Sequence, residues 1–205
     1  MGGLYTIGHS KHTQEYFVEL LSRYKMNHVL DVRSTPYSKY AEQFNKDNVC
    51  KVLQSENIRY SFMGNFFGAR PEEKNLYNVE GYLDFEKVAE SDMFNRGIEN
   101  VILGLGKKNN VVLMCTEKDP FDCHRAIMVA RAFALKGIEA KHILANGNIQ
   151  TQSELDSRLL DKYFPDRGQL SFFDNNALSD EEYLRQAYHE RNVEIGYRLD
   201  EKVAI

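Results

Sequence analysis

The chain has 205 residues, 42% of them hydrophobic and 27% charged, with a formal net charge of −4. That length and balance suit one globular domain, or one domain with an appendage. They exclude a membrane-spanning protein, because no apolar run approaches the roughly 20 residues that a span needs. An acidic balance disfavours non-specific binding of duplex nucleic acid through a broad basic face while leaving room for a local basic cleft.

Three cysteines, Cys50, Cys115 and Cys123, make an odd number without framework spacing, which points to free thiols in a reducing, cytoplasmic setting. The opening MGGLYTIGHS has no basic region followed by an apolar stretch, so no signal peptide is expected. Its loose fit to an N-myristoylation pattern is outweighed by the β-rich run Leu4 to Ile7.

That run predicts a first strand, ending in Gly8-His9-Ser10. Thr13 then caps a helix whose apolar face is Tyr16, Phe17, Leu20, Leu21 and Tyr24. His28 to Val32 reads as a second strand that gives way abruptly to the charged and polar DVRSTPYS. A polar helix is expected from about Asn45 to Glu56, a third strand over Arg59 to Met63, and a glycine-containing loop from Gly64 to Pro71. Tyr82 to Leu105 is helical in pattern, with Gly97 expected to break it in two.

Val111 to Met114 predicts a buried strand. Lys118-Asp119-Pro120 forces a turn, Asp122 stands where an N-cap belongs, and a helix carries Ile127, Ala130, Phe133 and Ala134 inward before stopping at Gly137. Ala140 to Leu144 is a fifth strand, ending in Asn146-Gly147-Asn148. Leu155, Leu159, Leu160 and Tyr163 then mark a helix, and Ser179 with Glu182 a capping box before another.

Strands alternating with helices predict an α/β fold: a mainly parallel sheet of about five strands with helices on both faces, plus a helical C-terminal extension. Residues 1–150 would form the α/β domain and residues 151–205 the extension packed on it. In such sheets ligands bind beyond the carboxyl ends of the strands. Those ends carry His9 and Ser10, then Asp31, Arg33 and Ser34, then Asn65 and Arg70, then Cys115 to Arg125, then Asn146 and Asn148. Their convergence on one crevice is the reason to expect an active site there.

The segment VVLMCTEKDPFDCHR concentrates the reactive groups. Orphan N–H groups and the macrodipole make a helix start an anion site, which Arg125 could complete with a bidentate fork. Cys115 could be a nucleophile acidified by that helix end, by His124 or by an arginine, or a small buried hydrophobe ending a core strand. Nine residues separate it from Arg125, too many for the cysteine-x5-arginine loop of phosphatases.

Cys115, Cys123 and His124 could instead ligate a metal, but adjacent Cys123 and His124 are expected to point apart, so no metal and no cofactor is assigned. His9 could be a general base or merely part of a turn. Asp31 and Arg33 share a strand face as an acid–base and clamp, or as a structural ion pair. Ser10, Ser34, Arg70 and Glu117 complete the set of substrate contacts, and Cys50 has no assigned role.

Beyond the domain, Gln169-Leu170-Ser171-Phe172-Phe173 resembles the bacterial sliding-clamp-binding peptide, with phenylalanine in place of its fourth leucine. Gln169, Leu170, Phe172 and Phe173 would contact the clamp, although two adjacent phenylalanines can also dock on their own domain.

Four ordered motifs, TIGHS at 6–10, DVRSTPYS at 31–38, Gly68-Ala69-Arg70-Pro71 and MCTEKDPFDCHR at 114–125, resemble the family called domain of unknown function 488 over roughly Leu4 to Leu144. The resemblance implies an α/β domain in a cytoplasmic bacterial or archaeal setting and no settled reaction. The sequence therefore leads to an enzyme, a cysteine-dependent hydrolase or transferase, that holds an anionic, phosphate-bearing molecule such as a nucleotide. The competing reading is a non-catalytic nucleotide- or protein-binding module linked to DNA metabolism through the clamp-like peptide.

Overall fold

The computed structural model describes residues 2–167 and 178–199. Its centre is a six-stranded sheet built from β1 (Leu4–Gly8), β2 (His28–Asp31), β3 (Arg59–Phe62), β4 (Val111–Cys115), β5 (Ala140–Ile143) and β6 (Ile149–Thr151), in the order β3-β2-β4-β1-β5-β6. All neighbours are parallel except β5 and β6. The sixth strand lies outside the expected five. It is three residues long, too short to alternate visibly, and returns from β5 through a turn in which Gly147 takes φ +81.

The helices are α1 (Gln14–Arg23), α2 (Lys46–Ser55), α3 (Gly64–Phe67), α4 (Phe85–Glu90), α5 (Asp92–Gly106), α6 (Arg131–Ala134), α7 (Gln152–Tyr163) and α8 (Asp180–Ile195). A π-helical segment, Arg125–Ala130, runs directly into α6. Thr13 caps α1 as its position predicts, and both Thr151–Glu154 and Ser179–Glu182 form capping boxes.

Two cores sandwich the sheet. Phe17, Leu20 and Leu21 of α1 and Val49 and Leu53 of α2 pack with Val29, Val112 and Met114 on one face. On the other face Phe94, Ile98, Val101, Ile127, Phe133, Leu155, Leu159 and Ala187 surround Leu30, Val111 and Leu113. Because β4 is buried on both faces, it reads in sequence as an unbroken apolar run and not as an alternation.

Two local expectations are corrected. The helical stretch before β4 breaks at Ser91, whose hydroxyl caps α5, and not at Gly97. Gly97 lies inside α5, where a Cβ would sit 2.7 Å from Phe66 Cβ and 2.9 Å from the Phe67 ring, so glycine there permits close packing of α5 on α3. Asp122 is not an N-cap. Asp119 caps the single 3-10 turn Pro120–Asp122, and the Asp122 carboxylate instead pairs with Arg191 of α8.

The topology opens a crevice. The α-helix that follows β2, α2, lies on one face of the sheet, and the helical segment after the neighbouring strand β4 lies on the other. The chains leaving these two strands therefore diverge, as at a topological switch point. Register levels their ends: Gly8 is opposite Cys115 and Asp31 opposite Met114, and the ladder continues with His9 N–H to Cys115 O and Val32 N–H to Met114 O.

Candidate functional site

A cleft of about 320 Å³ opens beyond the carboxyl ends of β2 and β4. The segment after β2 supplies Ser34, Thr35, Tyr37 and Ser38. The loop after α3 supplies Arg70, and the end of α8 and the residues after it supply Ile195 and Tyr197. Cys115, Thr116, Glu117, Asp122 and His124 line it from the β4 side, with an edge of Arg33. Of the sequence-predicted site residues it gathers Arg33, Ser34, Arg70, Cys115, Glu117 and His124, while His9, Ser10, Asp31 and Arg125 do not line it. Asn65 and Asn146 border other depressions.

The Cys115 and Cys123 Sγ atoms lie 3.0 and 2.9 Å from one oxygen, Oε2 of Glu117, and His124 Nδ1 is 3.9 Å from each sulfur. The sequence expectation that Cys123 and His124 diverge fails for a specific reason. Cys123 is extended after the 3-10 turn whereas His124 is already helical, so the backbone bends between them and both side chains face β4. The π-helix begins at the next residue; such wide turns are rare and recur at functional sites.

Backbone contact fixes the loop that carries Glu117. A Cβ on Gly8 would fall 1.8 Å from the Glu117 carbonyl oxygen, so only glycine lets this loop lie across the end of β1. Arg125, fully buried, donates from Nη1 to that same carbonyl at 2.8 Å, from Nη2 to Lys118 O at 3.4 Å and from Nε to Thr6 Oγ1 at 3.4 Å. Its fork braces the turn from beneath. On the other side Arg191 donates from Nε to Phe121 O at 2.9 Å and pairs with Asp122, so α8 clamps the segment that bears Cys123.

Asp31 and Arg33 form a buried pair. Arg33 donates to Asp31 from its backbone N, Nε and Nη2, Tyr60 donates its hydroxyl to the same carboxylate, and Arg33 also reaches Phe44 O. His9 stacks on Phe44 and is fully buried. Ser10 O can only accept from its Nδ1, so Nε2 accepts from Arg33 Nη1 and Thr116 Oγ1. Burial, then the Arg33 charge, lower its pKa to about 4, which keeps the ring neutral.

The cluster itself is electrostatically crowded. Donation to Cys123, then burial, hold Cys115 well above the usual thiol range. Burial opposes ionisation of Cys123 too, but the Cys115 thiol, Arg125 and His124 together pull it well below that range. Burial and the neighbouring Cys123 raise Glu117. Burial disfavours charged His124, yet its bonding to Cys123 raises it overall. Two thiols and a carboxyl this close share protons as one unit. Cys115, 3% exposed, lines the cleft, and Cys123 lies behind it, 1% exposed.

Sequence reasoning passed over Tyr37, Thr35 and Ser38, although they stand in the DVRSTPYS motif, and it passed over Tyr197, which no motif marks. The Tyr197 ring lies under the Arg70 guanidinium at 4.6 Å, a contact that engages the guanidinium face and leaves its N–H edge for an oxyanion. The clamp-like peptide at 169–173 lies outside the described residues.

A mostly parallel α/β sheet with a polar strand-end cleft over a cysteine, histidine and glutamate cluster defines the class of protein. The chain belongs to the family described as Domain of unknown function DUF488, whose model matches residues 13–132, more than half of the chain. The match takes in three of the four motifs and leaves out TIGHS at 6–10. Comparison with curated proteins finds no match. No helix among the described residues is long and apolar enough to cross a membrane.

Proposed function

We propose that this protein is an enzyme that binds an anionic, phosphate-bearing substrate in the strand-end cleft, with Cys115, Glu117, Cys123 and His124 as the groups on which its chemistry depends. The observation that carries the reading is that Cys115, Glu117 and His124 line a cleft walled by hydroxyls and by Arg70, with the buried Cys123 clustered against them. Ser34, Thr35 and Ser38 donate to oxyanions, and Arg70 supplies the charge that Arg33 and Arg125, engaged with internal acceptors, have less freedom to give.

Nucleotides are the favoured phosphate carriers because Gln169 to Phe173 resembles a sliding-clamp-binding peptide, which would place the enzyme in DNA metabolism. The burial of both thiols supports the second reading, a binding module without turnover, since a free nucleophile needs access.

Pyrophosphate is a simple probe of the cleft. Titration calorimetry at low salt is expected to give a single site. Arg70→Ala should weaken it about tenfold or more, as expected for loss of a charge-assisted hydrogen bond worth roughly 1.5–3 kcal/mol. Unchanged affinity in that variant would remove the cleft as the anion site. Hydrolysis or transfer detected with phosphate monoesters, and lost in Cys115→Ser, separates the enzyme from the binding module.

A further inference from the structure

We propose that Cys115, Cys123, His124 and Glu117 form a zinc site: the four donor atoms lie within 4.8 Å of one another. A tetrahedral zinc ion with Zn–S near 2.3 Å and Zn–N or Zn–O near 2.0–2.2 Å holds its ligand atoms about 3.5–3.8 Å apart. The sulfur-to-oxygen separations here are 3.0 and 2.9 Å and the sulfur-to-nitrogen separations are both 3.9 Å, so small side-chain rotations reach that geometry.

Three independent features suit a metal better than a packed cluster. The Val32 carbonyl can only accept a hydrogen bond, so the His124 Nε2 facing it at 3.1 Å carries hydrogen and the ring is oriented with Nδ1 toward the sulfurs. Imidazole ligands are held in this way by a partner on the far nitrogen. The backbone is pinned on both sides of the donors, by Gly8 and Arg125 under Glu117 and by Arg191 beyond Cys123, so the site is held in place before an ion arrives. Two thiols and an imidazole also form a soft donor set, which selects zinc over magnesium or calcium.

Cys115 and Cys123 are buried and His124 is 9% exposed, whereas Glu117 belongs to the exposed rim of the loop. The three buried donors are the permanent ligands. Glu117 is the one that an oxygen of a substrate in the cleft can displace, which matches catalytic zinc sites with three protein ligands and one exchangeable position. The site goes beyond the anion-binding reading of the cleft and stands without it.

The test uses the full chain, reduced and freed of metal by a chelator. Zinc is added back, excess is removed, and metal content is measured by plasma mass spectrometry; cobalt(II) is then substituted and its absorption recorded. About one zinc per chain is expected, and cobalt should give intense visible bands of a tetrahedral site with a thiolate charge-transfer band. Cys123→Ser and His124→Asn should lose both signals, Cys50→Ser should keep both, and Glu117→Gln should retain metal while altering the cobalt spectrum.

Circular dichroism identifies any variant that fails to fold. Because Glu117 is the exposed ligand, Glu117→Gln supplies a readout that does not depend on the buried variants. Less than about a tenth of an equivalent in folded wild-type protein, or cobalt bands without a thiolate component, would overturn the proposal. Pyrophosphate calorimetry on metal-free and zinc-loaded protein separates the two readings: zinc uptake without pyrophosphate binding sinks only the anion site, and pyrophosphate binding without zinc uptake sinks only the metal.

Discussion

Asp31→Asn is expected to destabilise the fold by about 3–5 kcal/mol, the usual consequence of removing one partner of a buried ion pair and leaving the other charge uncompensated. Asp31 is fully buried and accepts from Arg33 N, Nε and Nη2 and from the Tyr60 hydroxyl. Asparagine preserves the volume but turns one acceptor into an N–H group that faces the donors of Arg33. The loss propagates, because Arg33 also holds Phe44 O and the Nε2 of His9, and so ties the segment after β2 to the segment after β1.

Urea unfolding of the wild type, Asp31→Asn, Arg33→Met and the double variant would measure this. The double variant should recover part of the loss, since it removes both charges together. A cost under about 1 kcal/mol for Asp31→Asn would mean that the pair is solvated and that Asp31 is free for proton transfer.

Acidification from pH 7 to pH 5 is expected to lower stability by about 3–4 kcal/mol through His9 and His142 alone. His142 is fully buried. Its Nε2 donates to Gln152 Oε1 at 3.0 Å, and its Nδ1 is paired with Thr6 Oγ1 at 2.9 Å. The chain of bonds runs one way, from Arg125 Nε to Thr6, from Thr6 to His142, from His142 to Gln152, with Gln152 and Asp156 meeting at the Tyr188 hydroxyl. A second proton on His142 would face the Thr6 hydroxyl and break that order.

Burial, then the Arg125 charge, push the pKa of His142 down to about 3, beside about 4 for His9. In the unfolded chain both rings take up protons near pH 6.5, while in the folded protein neither does until well below pH 5. Stability is therefore fully present above about pH 6.5 and is lost progressively as pH falls toward the folded values. His142→Gln should roughly halve the slope between pH 7 and pH 5 in urea titrations. A stability that does not change over that interval would show that the rings ionise freely in the folded protein.

The large features of the fold were readable because they rest on local patterns. Phe17, Leu20 and Leu21 repeat at helical spacing and are buried in α1, and the apolar run of β4 identifies the central strand. The missed features depend on contacts across the chain. Gly97 has the sequence appearance of a helix break, and only the Phe66 and Phe67 rings beside it show that it is a packing position. Asp122 has the right spacing for a cap, but its partner, Arg191, lies 69 residues away.

The site divides in the same way. Cys115, Cys123 and His124 were visible as reactive groups because they lie within ten consecutive positions, whereas Glu117 read only as a substrate contact; the convergence of the four depends on the bend between an extended Cys123 and a helical His124. Arg125 read as an anion clamp from its place in the helix. Its actual partners, Thr6 Oγ1 and the carbonyls of Glu117 and Lys118, are reached only because β1 and β4 are neighbours in register. Tyr197 enters the cleft because α8 packs back over the segment after β4, which no short motif encodes.

The central claim is that the cleft over the cysteine, histidine and glutamate cluster receives the ligand, and a titration of isotope-labelled protein with pyrophosphate, followed by amide and side-chain NMR, tests it most directly. The account predicts saturable shifts concentrated at Ser34 to Ser38, Ala69 and Arg70, and Cys115 to His124, with Tyr197 responding through its contact with Arg70. No response at millimolar pyrophosphate, or shifts confined to residues away from the β2 and β4 ends, would contradict it.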